Sequence, residues 1–250
     1  MMCASNYKEF PLARILFCLL LSISTVAQAD TFGFFVGGGY WDTNFSGDVI
    51  TNVDIESELN IESAGSTYVY AHLEHPLPFI PNLRVARTNI EESGNGVLTS
   101  SFNYEGTGFT IGQAVSSSVD LSHTDLTLYY ELIDVGMDLD LGLTARYLEG
   151  EVELNNVRES AEVLLPMIYL RGKFNLPFTG TYIGGQVNAA SYSGDSILDG
   201  DVKVGWQTEN FIFPEFGVEA GYRQFSIDAD ESVLIDLEMD GVFVNLTAHF

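Results

Sequence analysis

From Met137 to Tyr147 the chain reads MDLDLGLTARY, and Met137, Leu139, Leu141, Leu143, Ala145 and Tyr147 alternate without a miss against Asp138, Asp140, Gly142, Thr144 and Arg146. Only an extended strand sorts these two chemistries onto two faces; a helix would scatter Asp138, Leu141 and Arg146. The last stretch repeats the pattern, with Val242, Val244, Leu246, Ala248 and the terminal Phe250 on one face and Asn245, Thr247 and His249 on the other. Further alternating stretches predict strands near residues 31–41, 67–74, 83–91, 122–132, 163–175, 181–192, 201–208 and 215–227. The one near 83–91 is poorly patterned, since Arg84 and Arg87 fall on opposite faces. Together these make ten strands.

The strands are joined alternately by short turns that carry Pro or Gly and by longer acidic stretches. Three prolines between His75 and Asn82 forbid continued pairing there, and similar turns are expected at 133–136, 176–180 and 210–214. The longer connections are expected as loops at 42–64, 92–117, 150–161, 193–200 and 228–239, the second of them with room for a hairpin. Short turns on one side, long loops on the other and an even strand count predict an all-β fold, a single antiparallel up-and-down transmembrane β-barrel of ten strands. Eight strands is the alternative if the third or the eighth is loop. A soluble lipocalin-like barrel would instead carry its apolar residues inward.

The first 29 residues decide between these. Lys8 and Arg14 precede an apolar run from Ile15 to Ala27 and an Ala27-Gln28-Ala29 site, the layout of a cleavable signal peptide, leaving residues 30–250 as the barrel domain. The run is too short for a membrane anchor, and Ile15-Leu16-Phe17 offers no small residue before Cys18 for a lipoprotein. Both cysteines, Cys3 and Cys18, lie in the removed segment, so the mature chain has neither disulfides nor thiolate metal sites. An exported chain with aromatics at its strand ends and a terminal Phe250 is expected in the outer membrane of a Gram-negative bacterium, with both termini in the periplasm. Val242, Val244, Leu246, Ala248 and Phe250 then form the assembly signal read by the barrel-assembly machinery, after escort by periplasmic chaperones.

Charge narrows the partners. Removing Lys8, Arg14 and Glu9 takes the chain from ten basic and 35 acidic residues to eight and 34. Such an excess excludes nucleic acid as a partner, because neutralising phosphates is what gives that class its affinity. It also disfavours unaided binding to anionic headgroups. Outer-membrane lipid and lipopolysaccharide are the remaining expected surroundings; oligomeric state is left open.

Several blocks look familiar. The runs FFVGGGYWD (34–42), AHLEHPLPFIPN (71–82), SHTDLTLYYEL (122–132), MDLDLGLTARY (137–147) and AGYRQF (220–225) resemble a family of proteobacterial outer-membrane β-barrel proteins with a glycine-rich first strand. The resemblance spans essentially the whole mature chain. It implies location and fold, and, the family having no established activity, it supplies no catalytic residues.

Strand parity places Glu74, Asp125, Glu131, Asp138, Asp140, Arg146, Arg171, Lys173, Asp201, Lys203, Glu219 and Arg223 in the lumen, along with His72 and His249. In a narrow barrel these side chains are expected to pair and fill the interior, giving a structural or passive role, with a narrow solute channel as the alternative. His123 and Asp125 share the inward parity and are the candidates for a rim hydrolase, since a histidine beside a carboxylate is the minimum for activating water. Ser122 points to the opposite face and is not the nucleophile. The acidic loops, Asp54, Glu56 and Glu58 above all, are candidates for a divalent cation that bridges to lipopolysaccharide, although no D-x-D-x-D-G loop is present. No cofactor is expected. His72 and His75 are read as belt residues at the periplasmic end.

Overall fold

The computed structural model describes residues 32–50, 53–208, 214–229 and 235–250. The expected signal peptide and most of the turn at 210–214 lie outside them. The strands are β1 (Gly33–Val49), β2 (Val53–Asp54), β3 (Ser63–Glu74), β4 (Asn82–Asn89), β5 (Glu91–Val97), β6 (Phe102–Tyr104), β7 (Thr107–Phe109) and β8 (Ala114–Asp134). They continue as β9 (Met137–Leu154), β10 (Val157–Asn175), β11 (Thr181–Tyr192), β12 (Asp195–Gln207), β13 (Glu215–Ala229) and β14 (Ile235–His249). Every pairing between neighbouring strands is antiparallel, and β14 returns to pair with β1, so the sheet closes. β5 continues β4 along β8, which makes ten staves in the barrel wall. Beside the wall, β2 folds back on β1 and β6 pairs with β7 in a separate hairpin.

Five stretches expected as loops are largely strand. β1 runs on to Val49, β9 and β10 extend to a turn at Asn155 and Asn156, β12 begins at Asp195 and β14 at Ile235. The stretch 92–117 holds most of β5, the β6–β7 hairpin and the start of β8. The residues between Val53 and Ile61 turn inward rather than outward, and Val53, Ile55, Leu59 and Ile61 are at most 1% exposed.

One physical reason covers these corrections. Near the chain termini the strands carry apolar residues outward and polar residues inward; toward the far end the same two faces exchange chemistry. On β9, Leu139, Leu141, Leu143 and Ala145 face out opposite Asp140, Thr144 and Arg146, whereas beyond Tyr147 the outward residues are Glu149, Glu151 and Glu153 and the inward ones Leu148, Val152 and Leu154. On β14 the outward row runs Asp236, Glu238, Asp240, then Val242, Val244, Leu246; the inward row runs Leu237, Met239, Phe243, then Asn245 and Thr247. On both strands period two is kept, but its hydrophobic phase inverts, and a reading locked to one phase sees a loop. The distal half therefore holds an apolar core of the kind a soluble barrel has, built around Phe45, Val49, Ile55, Leu59, Ile90, Leu98, Phe109 and Met239. The terminal half turns its hydrocarbon outward, with Leu143 67% and Leu246 70% exposed.

Two glycines make room for the interior of the terminal half. A Cβ on Gly37 would fall 2.4 Å from the Tyr70 ring, and one on Gly205 would fall 2.1 Å from the Tyr182 ring. Both tyrosines lie flat across the facing glycine, which lets bulky rings fit inside a narrow barrel.

Candidate functional site

The lumen is crossed by two layers of polar side chains. The distal layer is centred on Asp199. Its Oδ2 accepts from Arg146 Nη2 at 2.5 Å and from Arg223 Nη2 at 2.7 Å, and its Oδ1 accepts from Arg223 Nε at 2.8 Å. Arg146 also forks onto Asp125, with Nε and Nη2 each 2.8 Å from a carboxylate oxygen. Arg223 reaches across to the hydroxyl of Thr88 at 3.3 Å and lies 4.7 Å over the Trp41 ring, while Arg146 lies 5.2 Å over Phe225. Bidentate guanidinium–carboxylate bonds of this kind are among the stronger hydrogen bonds in proteins and fix geometry as well as charge. His123, Asp125, Arg146, Asp199 and Arg223 are all at most 8% exposed.

The second layer lies nearer the termini. Arg84 Nε donates to His72 Nε2 at 3.1 Å, His72 Nδ1 meets the Tyr129 hydroxyl at 3.4 Å, and that hydroxyl donates to Glu74 at 2.8 Å. The tautomer follows from the ends of the chain: Arg84 can only donate, so Nε2 accepts and Nδ1 carries the proton. Arg84 also bonds Tyr68 and lies 5.4 Å over Tyr70. Around them Arg171 bonds Asp140 at 2.8 Å, Lys203 bonds Glu219 at 3.3 Å and sits 3.9 Å from Asp201, and Lys173 sits 3.9 Å from Asp138. Glu219 further accepts from Tyr182 and Asn245. A polar cavity of about 70 Å³ remains beside this layer, room for a few waters.

The expected lumen residues thus lie on inward faces, most of them in these pairs, while Glu131 sits exposed at the terminal end of β8. Two charged members are missing from the sequence reading. Asp199, the hub, lies in the stretch 193–200 that the sequence predicts as loop, although Ile197, Asp199, Asp201 and Lys203 share one parity. Arg84 fell on the weakly patterned third strand, where Arg87 on the other face breaks the outward row and pairs instead with Glu149 at 2.5 Å. His72 is not a belt residue but is buried in the lumen. His75 is tied in the Pro-rich turn, its Nε2 3.2 Å from the carbonyl of Pro81.

Most of the candidates for chemistry are engaged elsewhere, although His123 Nε2 has no hydrogen-bond partner. His123 Nδ1 faces the carbonyl of Leu121 at 3.0 Å, so it carries the proton, and Nε2 points toward Asp199 Oδ2 at 3.8 Å. His123, Asp125 and Asp199 could bring three ligand atoms within 4.8 Å of one another. Each carboxylate is already taken by a guanidinium, and a dication there would sit against Arg146 and Arg223, so the donor set does not suit a metal. Asp54, Glu56 and Glu58 do not form a ligand cluster. Asp54 Oδ1 accepts from the Ser57 amide and hydroxyl, both at 2.6 Å, and these bonds hold its carboxyl below the ordinary value. Glu58 is 2% exposed and accepts from the amides of Asp54 at 3.2 Å and Thr99 at 2.6 Å.

The sequence matches no protein-family model and no curated protein. Among solved structures, the outer membrane protease OmpT of Escherichia coli aligns at TM-score 0.46 and 11% identity, over 90% of this chain and 98% of that one. The transport unit of the autotransporter AIDA-I, also from Escherichia coli, aligns at TM-score 0.38 and 8% identity over 95% and 96%. Neisserial surface protein A aligns at TM-score 0.29 and 12% identity over 89% and 99%.

Proposed function

We propose that this chain is an integral barrel of a bacterial outer membrane, with its terminal half in the bilayer, its distal half projecting outside the cell, and its lumen closed to solutes. The observation that carries the reading is the Asp125–Arg146–Asp199–Arg223 layer, which spans the lumen with no residue more than 8% exposed. Membrane residence is supported by the outward hydrocarbon of the terminal half, which ends at an acidic outer face on β9 and β14. Both termini then lie on the periplasmic side, and the last strand is the one the assembly machinery reads. In this reading His123 and Asp125 belong to the plug rather than to a reaction centre, and the role is structural: a closed post that carries an acidic cylinder beyond the bilayer.

The refolded protein in a planar bilayer, with folding verified by heat-modifiable migration, tests this directly. The expected result is silence, with or without calcium. Discrete and reproducible openings would replace the structural reading with a channel.

A further inference from the structure

The distal half contains a second compartment, separate from the polar lumen. A cavity of about 440 Å³ lies beyond the Asp199 layer, a size typical of small-molecule sites. Its wall is the inverted face of the barrel, with Leu121, Leu165, Ile197 and Ile227 turned into it. Tyr104 closes one side, and its hydroxyl donates to the carbonyl of Val152 at 2.9 Å, so no free polar group remains there.

The charged residues on the lining are all acidic: Glu159 and Asp195, with Glu151 and Asp228 on the outward faces of β9 and β13. Glu159 and Asp195 have the inward parity of β10 and β12, and sit toward the distal ends of those strands, above Val163 and Ile197. The guanidinium groups beneath the floor are already paired with Asp125 and Asp199. An occupant must therefore be apolar at its inner end and neutral or positive at its outer end.

We propose that this cup binds a small lipophilic amine, its hydrocarbon against Leu165 and Ile197 and its ammonium toward Glu159 and Asp195. The site lies on the far side of the closed layer, so binding here and closure to ions are separate properties read by separate experiments.

The test is calorimetric titration of the refolded protein in amphipol with octylamine, octanol and octanoate. Octylamine is expected to bind saturably at one site and octanoate about tenfold or more weaker, the difference between attraction and repulsion at two nearby carboxylates. Glu159→Gln combined with Asp195→Asn should bring octylamine down to the affinity of octanol and leave octanol unchanged. Ile197→Trp and Ala190→Trp each place an indole in the cavity and should abolish binding of all three; two variants are used so that one failing to assemble leaves the other. Octanoate binding as well as octylamine, uptake unchanged in an assembled Trp variant, or no binding of any probe would each overturn the proposal.

Discussion

Asp199 and Arg146 stand on β12 and β9, three places apart around the barrel, and meet inside it at 2.5 Å. Because Asp199 also holds Arg223 at 2.7 Å, one carboxylate ties two cations from opposite directions and shortens the span the plug must bridge. Asp125 serves only one of them. Asp199→Ala leaves Arg223 without its ion pair in a buried layer, and is expected to cost about 3–5 kcal/mol. Asp125→Ala should cost clearly less, since Arg146 keeps Asp199. Urea unfolding in detergent micelles compares the two; equal losses would mean that Asp199 is not the hub.

The inversion of phase makes a second prediction, about which outward residues touch lipid. Leu143→Cys should resist a membrane-impermeant maleimide in intact cells, and Glu151→Cys, on the same face of the same strand, should label readily. Leu141→Arg should cost about 2–4 kcal/mol at the bilayer midplane. Labelling of both cysteines, or of neither, would place the boundary elsewhere than near Tyr147.

These two predictions mark what the sequence made legible and what it hid. Residues 137–147 and 241–250 announce strand and face because their outward and inward rows carry opposite chemistries at every step. Residues 148–154 obey the same period, yet Leu148, Val152 and Leu154 lie on the face that Arg146 had marked as polar. The proposed membrane placement accounts for the change: where water would replace lipid outside, the hydrophobic effect reverses its preferred side. Asp199 was hidden by the same reversal, standing one step from Ile197 at the boundary on β12. The inward turn of Ile55, Leu59 and Ile61 could not be read at all, because short apolar residues among acids have no period and only the tertiary core explains them.

A third prediction concerns the seam. The Phe250 amide donates to the carbonyl of Phe34 at 2.9 Å, the Phe34 amide donates back at 3.1 Å, and the two rings lie 6.2 Å apart. Beside them His249 stacks on Phe35 at 3.8 Å. Deleting Phe250 removes the last pairing of β14 with β1 as well as the terminal aromatic, so both closure and recognition by the assembly machinery should suffer. The expected outcome is a lower yield of heat-modifiable, membrane-embedded protein; a normal yield would show that neither contribution matters.

The inward-folded segment after β2 supplies the last prediction. Glu58 is buried, and its carboxylate accepts the amides of Asp54 and Thr99, linking this segment to the stretch before the β6–β7 hairpin. Glu58→Ala leaves those donors without their acceptor and should cost about 1–3 kcal/mol locally, since removing one partner of a buried bond costs the desolvation of the other. Amide exchange across residues 53–61 should then accelerate about tenfold or more, while exchange in the terminal half stays unchanged. Asp54 adds a pH dependence of definite sign. Its bonds to Ser57 favour the charged form, so its contribution is complete at neutral pH and disappears only as pH falls through its depressed folded value. Asp54→Asn should remove that acid-side loss. If both variants exchange like the parent at every pH, the segment is held by its apolar residues alone and the two carboxylates are incidental to it.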